Sequence, residues 1–210
     1  EKGLAQKVQK NILPKRLSFK GVEVGTFYRP SDKIGGDFFD AWETEGNLHF
    51  LIGDVSGHST SSALIMAVCK GMLQSLGYSM KNPVEIVGTA NRMLCDILTD
   101  SGMFLSLVYG IYERERGTLN IVSAGHNPVY LINGGGVDSV GSTGSVLGWD
   151  PEDSWEIVSL PFEEGASLVL YTDGLSEARD PMGEEFGEER LKALFDGKAT
   201  AEGLIGRIFG

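Results

Sequence analysis

Glu45-Gly46 lies between two runs rich in aromatic and branched residues, and a two-residue turn of this kind closes a β-hairpin. A hairpin closed there has one register. With Thr44 opposite Asn47, Glu43 faces Leu48, Ala41 faces Phe50, Phe39 faces Ile52, and Asp37 faces Asp54. Directly opposed side chains have Cβ atoms roughly 4.5–5.5 Å apart. The turn therefore sets two carboxylates side by side at the open end of the hairpin. Like charges so placed destabilise a strand pair, and an adjacent apolar row raises the cost. A divalent cation between them converts the repulsion into ligation, and hard oxygen donors suit Mg2+ or Mn2+. The alternative use of the two acids, as a cap and a turn residue, needs no metal. Asp40, Trp42 and His49 fall on the opposite face, which keeps Asp40 out of the metal set.

The rest of the chain supplies strands and helices around this hairpin. Leu4, Val8 and Ile12 form a narrow apolar seam that Pro14 ends. Residues 21–30 alternate as a strand closed by Pro30. From Ser59 the period becomes helical, with Leu64, Ala67, Val68, Gly71 and Met72 as the expected buried stripe. Asn82-Pro83-Val84-Glu85 reads as a helix start, and Val87, Ala90, Leu94, Ile97 and Leu98 as the inner face that follows. Strands are expected over 103–113, 117–124, 127–132, 155–160 and 166–172, and a further helix over 184–195 packs through Leu191, Leu194 and Phe195. Short antiparallel strands with helices between them define an α+β chain, two stacked sheets with helices outside. Gly134-Gly135-Gly136 lacks the lysine and helix start of a phosphate-binding loop and reads as a turn.

Composition excludes several functions. The formal net charge of −11 makes a general nucleic-acid or anionic-membrane binder electrostatically unfavourable, and suits a site that gathers carboxylates for cations. Cys69 and Cys95 both fall in helical apolar patterns, as buried free thiols do. Without a signal peptide or an apolar run of spanning length, the expected compartment is the cytoplasm, with no membrane partner.

Gly35-Gly36-Asp37-Phe38-Phe39-Asp40, Gly53-Asp54-Val55-Ser56-Gly57-His58, Ser123-Ala124-Gly125-His126-Asn127-Pro128 and Tyr171-Thr172-Asp173-Gly174-Leu175-Ser176-Glu177-Ala178 occur in that order. Together, over about residues 20–195, they resemble the SpoIIE/RsbU-type serine phosphatases, a bacterial branch of the metal-dependent protein phosphatase 2C superfamily. The resemblance implies a four-layer α/β/β/α sandwich. It also implies a phosphatase domain over 15–210, preceded by the end of a linker helix over 1–14 that leads from an upstream sensor or receiver domain. An ordinary terminal helix packed on its own domain is the other reading of that segment, and its seam also offers a homodimer surface.

By the same resemblance Asp37, Asp54 and Asp173 are the catalytic set. Asp54 bridges two Mn2+ or Mg2+ ions, the Val55 carbonyl helps hold one, and Asp37 and Asp173 serve opposite sides. Asp173 follows an apolar strand and precedes Gly174, a pattern also common for a plain turn acid. His58 and His126 are candidate proton donors to a leaving oxygen, and Ser56 and Gly57 are expected to shape the backbone there. The implied substrate is a phosphorylated anti-sigma-factor antagonist of the STAS fold. The superfamily ordinarily adds an acidic ligand from an Asp-Asp motif before a last strand, and no such motif precedes Gly210. The expected site is thus one carboxylate short, with one metal weakly held. That departure motivates a rival reading, a phosphatase-fold module that regulates by docking a partner. A metal-dependent phosphohydrolase of small molecules is a third.

Overall fold

In chain order the elements are α1 (Lys2–Ile12), β1 (Phe38–Thr44), β2 (Asn47–Val55), α2 (Thr60–Ser79), α3 (Pro83–Leu98), β3 (Leu105–Glu113), β4 (Thr118–Ala124), β5 (Val129–Asn133), β6 (Gly136–Val140), β7 (Val158–Pro161), β8 (Ser167–Val169), α4 (Asp173–Ser176), α5 (Gly187–Ala193) and α6 (Ala201–Phe209). The computed structural model describes residues 2–30, 34–57, 60–134, 136–195 and 200–209. The chain forms two compact units. One comprises residues 1–14, 30–126 and 141–162, and the other 15–29, 127–140 and 163–210.

The first unit is built on a five-stranded sheet in the order β1-β2-β3-β4-β7, with every neighbour antiparallel. Its first hairpin has the register that the turn dictates, from Thr44 opposite Asn47 to Phe38 opposite Gly53. Glu45 and Gly46 both take positive φ, 49° and 85°, the left-handed backbone of a two-residue turn whose twist matches the strands. Helices α2 and α3 pack on this sheet. Gly77 of α2 lies so close to it that a Cβ there would meet the Tyr109 hydroxyl at 2.5 Å and the Trp42 ring at 2.6 Å. The face carrying Asp40, Trp42 and His49 is thus the one that α2 covers.

The buried residues of α2 are Ser62, Met66, Cys69, Lys70, Met72, Leu73 and Gly77, whereas Leu64 is 66% and Val68 39% exposed. The expected stripe is therefore rotated around the helix. Residues 63–69 are all apolar, so periodicity cannot choose a face, and the true inner face includes a serine and a lysine that a hydrophobicity count rejects. Helix α3 follows its expectation closely. Asn82 caps it by accepting from the Val84 N–H at 2.9 Å, Pro83 opens it, and Val87, Ala90, Leu94 and Leu98 are buried while Ile97 is not.

The second unit holds a three-stranded antiparallel sheet in the order β6-β5-β8. Tyr130, Ile132, Tyr171, Leu191, Phe195 and Leu204 form its core, so residues 191 and 195 pack as the sequence pattern requires, with Leu194 partly buried against them. Of the glycine run expected to be a turn, Gly134 is a turn residue, Gly135 lies outside the described residues, and Gly136 opens β6, a mostly exposed strand not anticipated from the sequence that pairs with β5.

Residues 23–30 form no strand, which corrects the expectation for 21–30; one isolated bridge joins Phe19 and Val22. The cause is the neighbour. Glu23 accepts from the Glu202 N–H, Gly25 abuts the Ala201 backbone, and Phe27 stacks on Phe209 at 3.6 Å. All three partners belong to α6, and a helix offers no free row of peptide groups for a ladder.

Candidate functional site

The β1–β2 register continues past the last ladder pair. The Val55 N–H donates to the Gly36 carbonyl at 3.3 Å, and 36 with 55 keeps the same sum as 38 with 53. Asp37 and Asp54 lie between these two anchored pairs, so the hairpin sets them opposite each other. The approach is close enough to require glycine. A Cβ on Gly36 would lie 2.2 Å from the Val55 carbonyl oxygen and 3.0 Å from Asp54 Oδ1. On the other side of the pair, Gly53 leaves room for the Phe38 ring, 2.9 Å from where its Cβ would be. Two carboxylates and the Val55 carbonyl thus occupy one end of the hairpin, with Asp37 Oδ1 buried. These are hard oxygen donors of the kind that Mg2+ and Mn2+ take, so the residues present fit such ions.

The next strand braces this end. Asp54 is opposite Ser106 of β3, whose hydroxyl hydrogen-bonds His126 Nδ1 at 2.8 Å. His126 is buried, 7% exposed, and so acts here as a tether between β3 and the end of β4. Gly125 before it is left-handed, with φ 60°, and a Cβ there would meet Val146 at 2.4 Å, which explains the small residue beside the histidine. Ser56 pairs with Phe104 twice, donating its N–H to the Phe104 carbonyl and accepting at its hydroxyl from the Phe104 N–H, each at 2.9 Å, which fixes the backbone after Val55. His58 lies outside the described residues.

Asp173 belongs to the second unit, where it is exposed and opens the four-residue helix α4 after Thr172. Gly174 lies within that helix and does not take positive φ. Its neighbour Tyr171 stacks on Tyr130 at 5.9 Å, and both hydroxyls lie 3.2 Å from the Glu188 carboxylate of α5, so the segment before Asp173 is firmly held. Among the described residues, no group of three or more His, Cys, Asp or Glu side chains is gathered to hold a metal. The acids that the structure does bring together are Asp37 and Asp54.

Two contributors had no place in the sequence analysis. Lys70 of α2, 8% exposed, is paired with Asp40, and a lone lysine inside an apolar helical run was the available signal. Gln9 of α1, 5% exposed, donates from Nε2 to the Gly35 carbonyl at 2.6 Å and accepts from the Gly35 N–H at 3.3 Å. No local pattern marks Gln9, because its partner is 26 residues away. Asp180 accepts from the Met182 and Glu184 N–H groups and is the turn residue its Pro181 neighbour suggests.

An antiparallel five-stranded sheet under paired helices and a second three-stranded sheet are the elements of a PP2C-type fold. In agreement, 99% of the chain matches 84% of the solved SiaA-PP2C domain of Pseudomonas aeruginosa, with a TM-score of 0.83 and 21% identity. More narrowly, the chain belongs to the Stage II sporulation protein E (SpoIIE) family, whose model matches residues 44–209. It is similar to Protein IcfG of Synechocystis sp., with 29% identity over all of this chain and 39% of that protein. It is also similar to phosphoserine phosphatase RsbU of Bacillus subtilis, with 25% identity over 86% of this chain and 54% of RsbU. The chain therefore spans about half the length, or less, of these relatives.

Proposed function

We propose that this chain is a metal-dependent protein serine/threonine phosphatase that hydrolyses phosphoserine or phosphothreonine on a protein partner. The observation that carries the proposal is the Asp37–Asp54 pair, set face to face beside the Val55 carbonyl by a hairpin whose register leaves no alternative. Asp37, Asp54 and the Val55 carbonyl would hold the ions, Mn2+ or Mg2+, and Asp173 is added as a ligand on the resemblance to the family alone. When bound, such ions lower the pKa of water toward neutrality and neutralise charge on phosphoryl oxygens.

The chain's own part is to hold two oxygen-rich side chains in fixed opposition, a placement that a bound cation would favour. Rigid strands on both sides of Asp54 keep that geometry. Hydrolysis forms one P–O bond to water and breaks the bond to the serine oxygen, which takes up a proton, and no phospho-enzyme is needed. Cys69 is buried in α2, with its thiol pKa pushed up to about 12 by desolvation, the opposite of a cysteine nucleophile.

The likeness to phosphoserine phosphatase RsbU supports a phosphoserine substrate, and the family resemblance adds a phosphorylated anti-sigma-factor antagonist of the STAS type as the partner, within partner-switching regulation. The test is phosphate release from such a phosphoprotein, with and without Mn2+, in the parent and in Asp54→Ala. The expected outcome is release that requires both the ion and Asp54. Equal turnover by the variant would rule out the metal mechanism. A chain that binds no Mn2+ yet binds the phosphoprotein would be a docking module, and preference for free phosphate esters would indicate a small-molecule hydrolase.

A further inference from the structure

Asp37 is presented by a segment that is not yet strand, and what fixes that segment is visible on both sides. Ahead, the β1 ladder begins at Phe38. Behind, Gly35 and Gly36 are both buried, and each peptide is held by a group far away in sequence. Gly36 offers its carbonyl to the Val55 N–H. Gly35 has both its N–H and its carbonyl taken by one side chain, the carboxamide of Gln9.

A primary amide is a side-chain copy of a peptide group. It supplies two N–H donors and an acceptor oxygen, and the N–H beside that oxygen pairs with it to match the N–H and carbonyl that one strand residue turns to the same side. Gln9 thus extends the pairing of the Asp37 segment by one residue, using a helix side chain where β1 has no strand partner. Both groups are out of water, where an unmet donor or acceptor is costly, so the segment is confined as long as α1 is seated. Glutamate could not donate, and methionine, of similar length, could do neither.

We infer that Gln9 is a positioning residue for Asp37: its carboxamide clamps Gly35, and the clamp sets how tightly the facing aspartates take a divalent cation. The inference rests on the proposal that Asp37 and Asp54 are metal ligands. It makes the seating of α1 a determinant of metal affinity, through two hydrogen bonds that act two residues from the ligand.

The test is Mn2+ titration calorimetry on the full chain for the parent, Gln9→Met and Asp54→Ala, well below their melting temperatures. Amide hydrogen exchange of the parent with and without Mn2+ accompanies it. Gln9→Met is expected to keep the stoichiometry and weaken Mn2+ binding about tenfold, equivalent to ~1.4 kcal/mol. Coupling is reciprocal, so Mn2+ should slow exchange of the Gly35 N–H in the parent, a measurement that stands even if the variant folds poorly. A purely structural role would lower the melting temperature of Gln9→Met and leave its Mn2+ affinity unchanged, and that result overturns the inference. So does a Gly35 N–H indifferent to Mn2+ in a parent that binds it. If Asp54→Ala binds Mn2+ as the parent does, or the parent binds none, the metal reading itself fails and takes the inference with it.

Discussion

The two faces of the β1–β2 hairpin treat their acids in opposite ways. On the face under α2, Asp40 meets Lys70, and Trp42, His49 and Tyr109 pack around Gly77, with His49 hydrogen-bonded to both Tyr109 and Thr44 and the Trp42 Nε1 buried without a partner among the described residues. On the other face, only three residues from Asp40, Asp37 is set opposite a second carboxylate. The first arrangement neutralises charge on burial, and the second accumulates it. A charge answered by a counter-charge is a device for holding α2 to the sheet, whereas acid opposite acid carries a cost that a shared cation would offset. On the proposed function, the motif Asp37-Phe38-Phe39-Asp40 thus carries one acid for chemistry and one for architecture, separated by the alternation of a strand.

Substitution at the two acids should break this contrast most visibly. Asp37→Ala is expected to leave the fold intact and to lower Mn2+ affinity by at least about 100-fold, since even partners outside the ligand set cost 10–100-fold; calorimetry reads this directly. Asp40→Ala should do the reverse. It leaves Lys70 charged and buried, which costs roughly 3–5 kcal/mol of stability in denaturant unfolding, while Mn2+ still binds to the folded fraction. The double variant Asp40→Leu with Lys70→Met should recover most of that loss, because well-packed apolar residues often replace a buried pair at no net cost. If Asp40→Ala abolished metal binding with stability unchanged, the division of labour between the faces would be wrong.

What was legible beforehand follows the range of the forces involved. The hairpin register needed only a turn and the period of a strand, and it placed Asp37 opposite Asp54 without knowledge of any other element. The cap of α3 was equally local. Contacts decided at a distance were not legible. Leu64 and Val68 looked like core because nothing in the sequence says that Lys70 will find Asp40 and turn the helix toward it. Residues 21–30 had the alternation of a strand, but their neighbour is a helix. Nothing in the sequence around Gln9 points to its carboxamide on Gly35, 26 residues away.

The helix-covered face can be probed without touching a charge. Gly77→Ala puts a methyl carbon 2.5 Å from the Tyr109 hydroxyl and 2.6 Å from the Trp42 ring, both buried and hemmed in by His49. The gain in helix propensity of about 1 kcal/mol is outweighed if the rings must shift, an overpacking cost of ~1–3 kcal/mol. A net loss of roughly 1 kcal/mol in denaturant unfolding is expected, with Mn2+ affinity unaffected because the opposite face is undisturbed. A change in metal affinity would mean that the two faces are coupled through the sheet.

The same face should also give the molecule a mild acid sensitivity of its own. His49 is 2% exposed, with Nε2 2.6 Å from the Thr44 hydroxyl and Nδ1 2.9 Å from that of Tyr109, and burial lowers its pKa from 6.5 to about 4. Above pH 6.5 the ring is neutral in folded and unfolded chains alike, and its contribution to stability is complete. As pH falls below 6.5 the unfolded chain takes up a proton that the folded chain refuses, so stability declines until about pH 4, where the folded form protonates too. The slope from one proton is at most about 1.4 kcal/mol per pH unit. Denaturant unfolding between pH 7 and pH 5 should show this decline in the parent and a flatter profile in His49→Gln, whose side chain hydrogen-bonds without titrating. Identical slopes would mean that His49 charges as readily in the fold as out of it. The buried face would then tolerate an unanswered charge, and the contrast between the two faces of the hairpin would lose its physical basis.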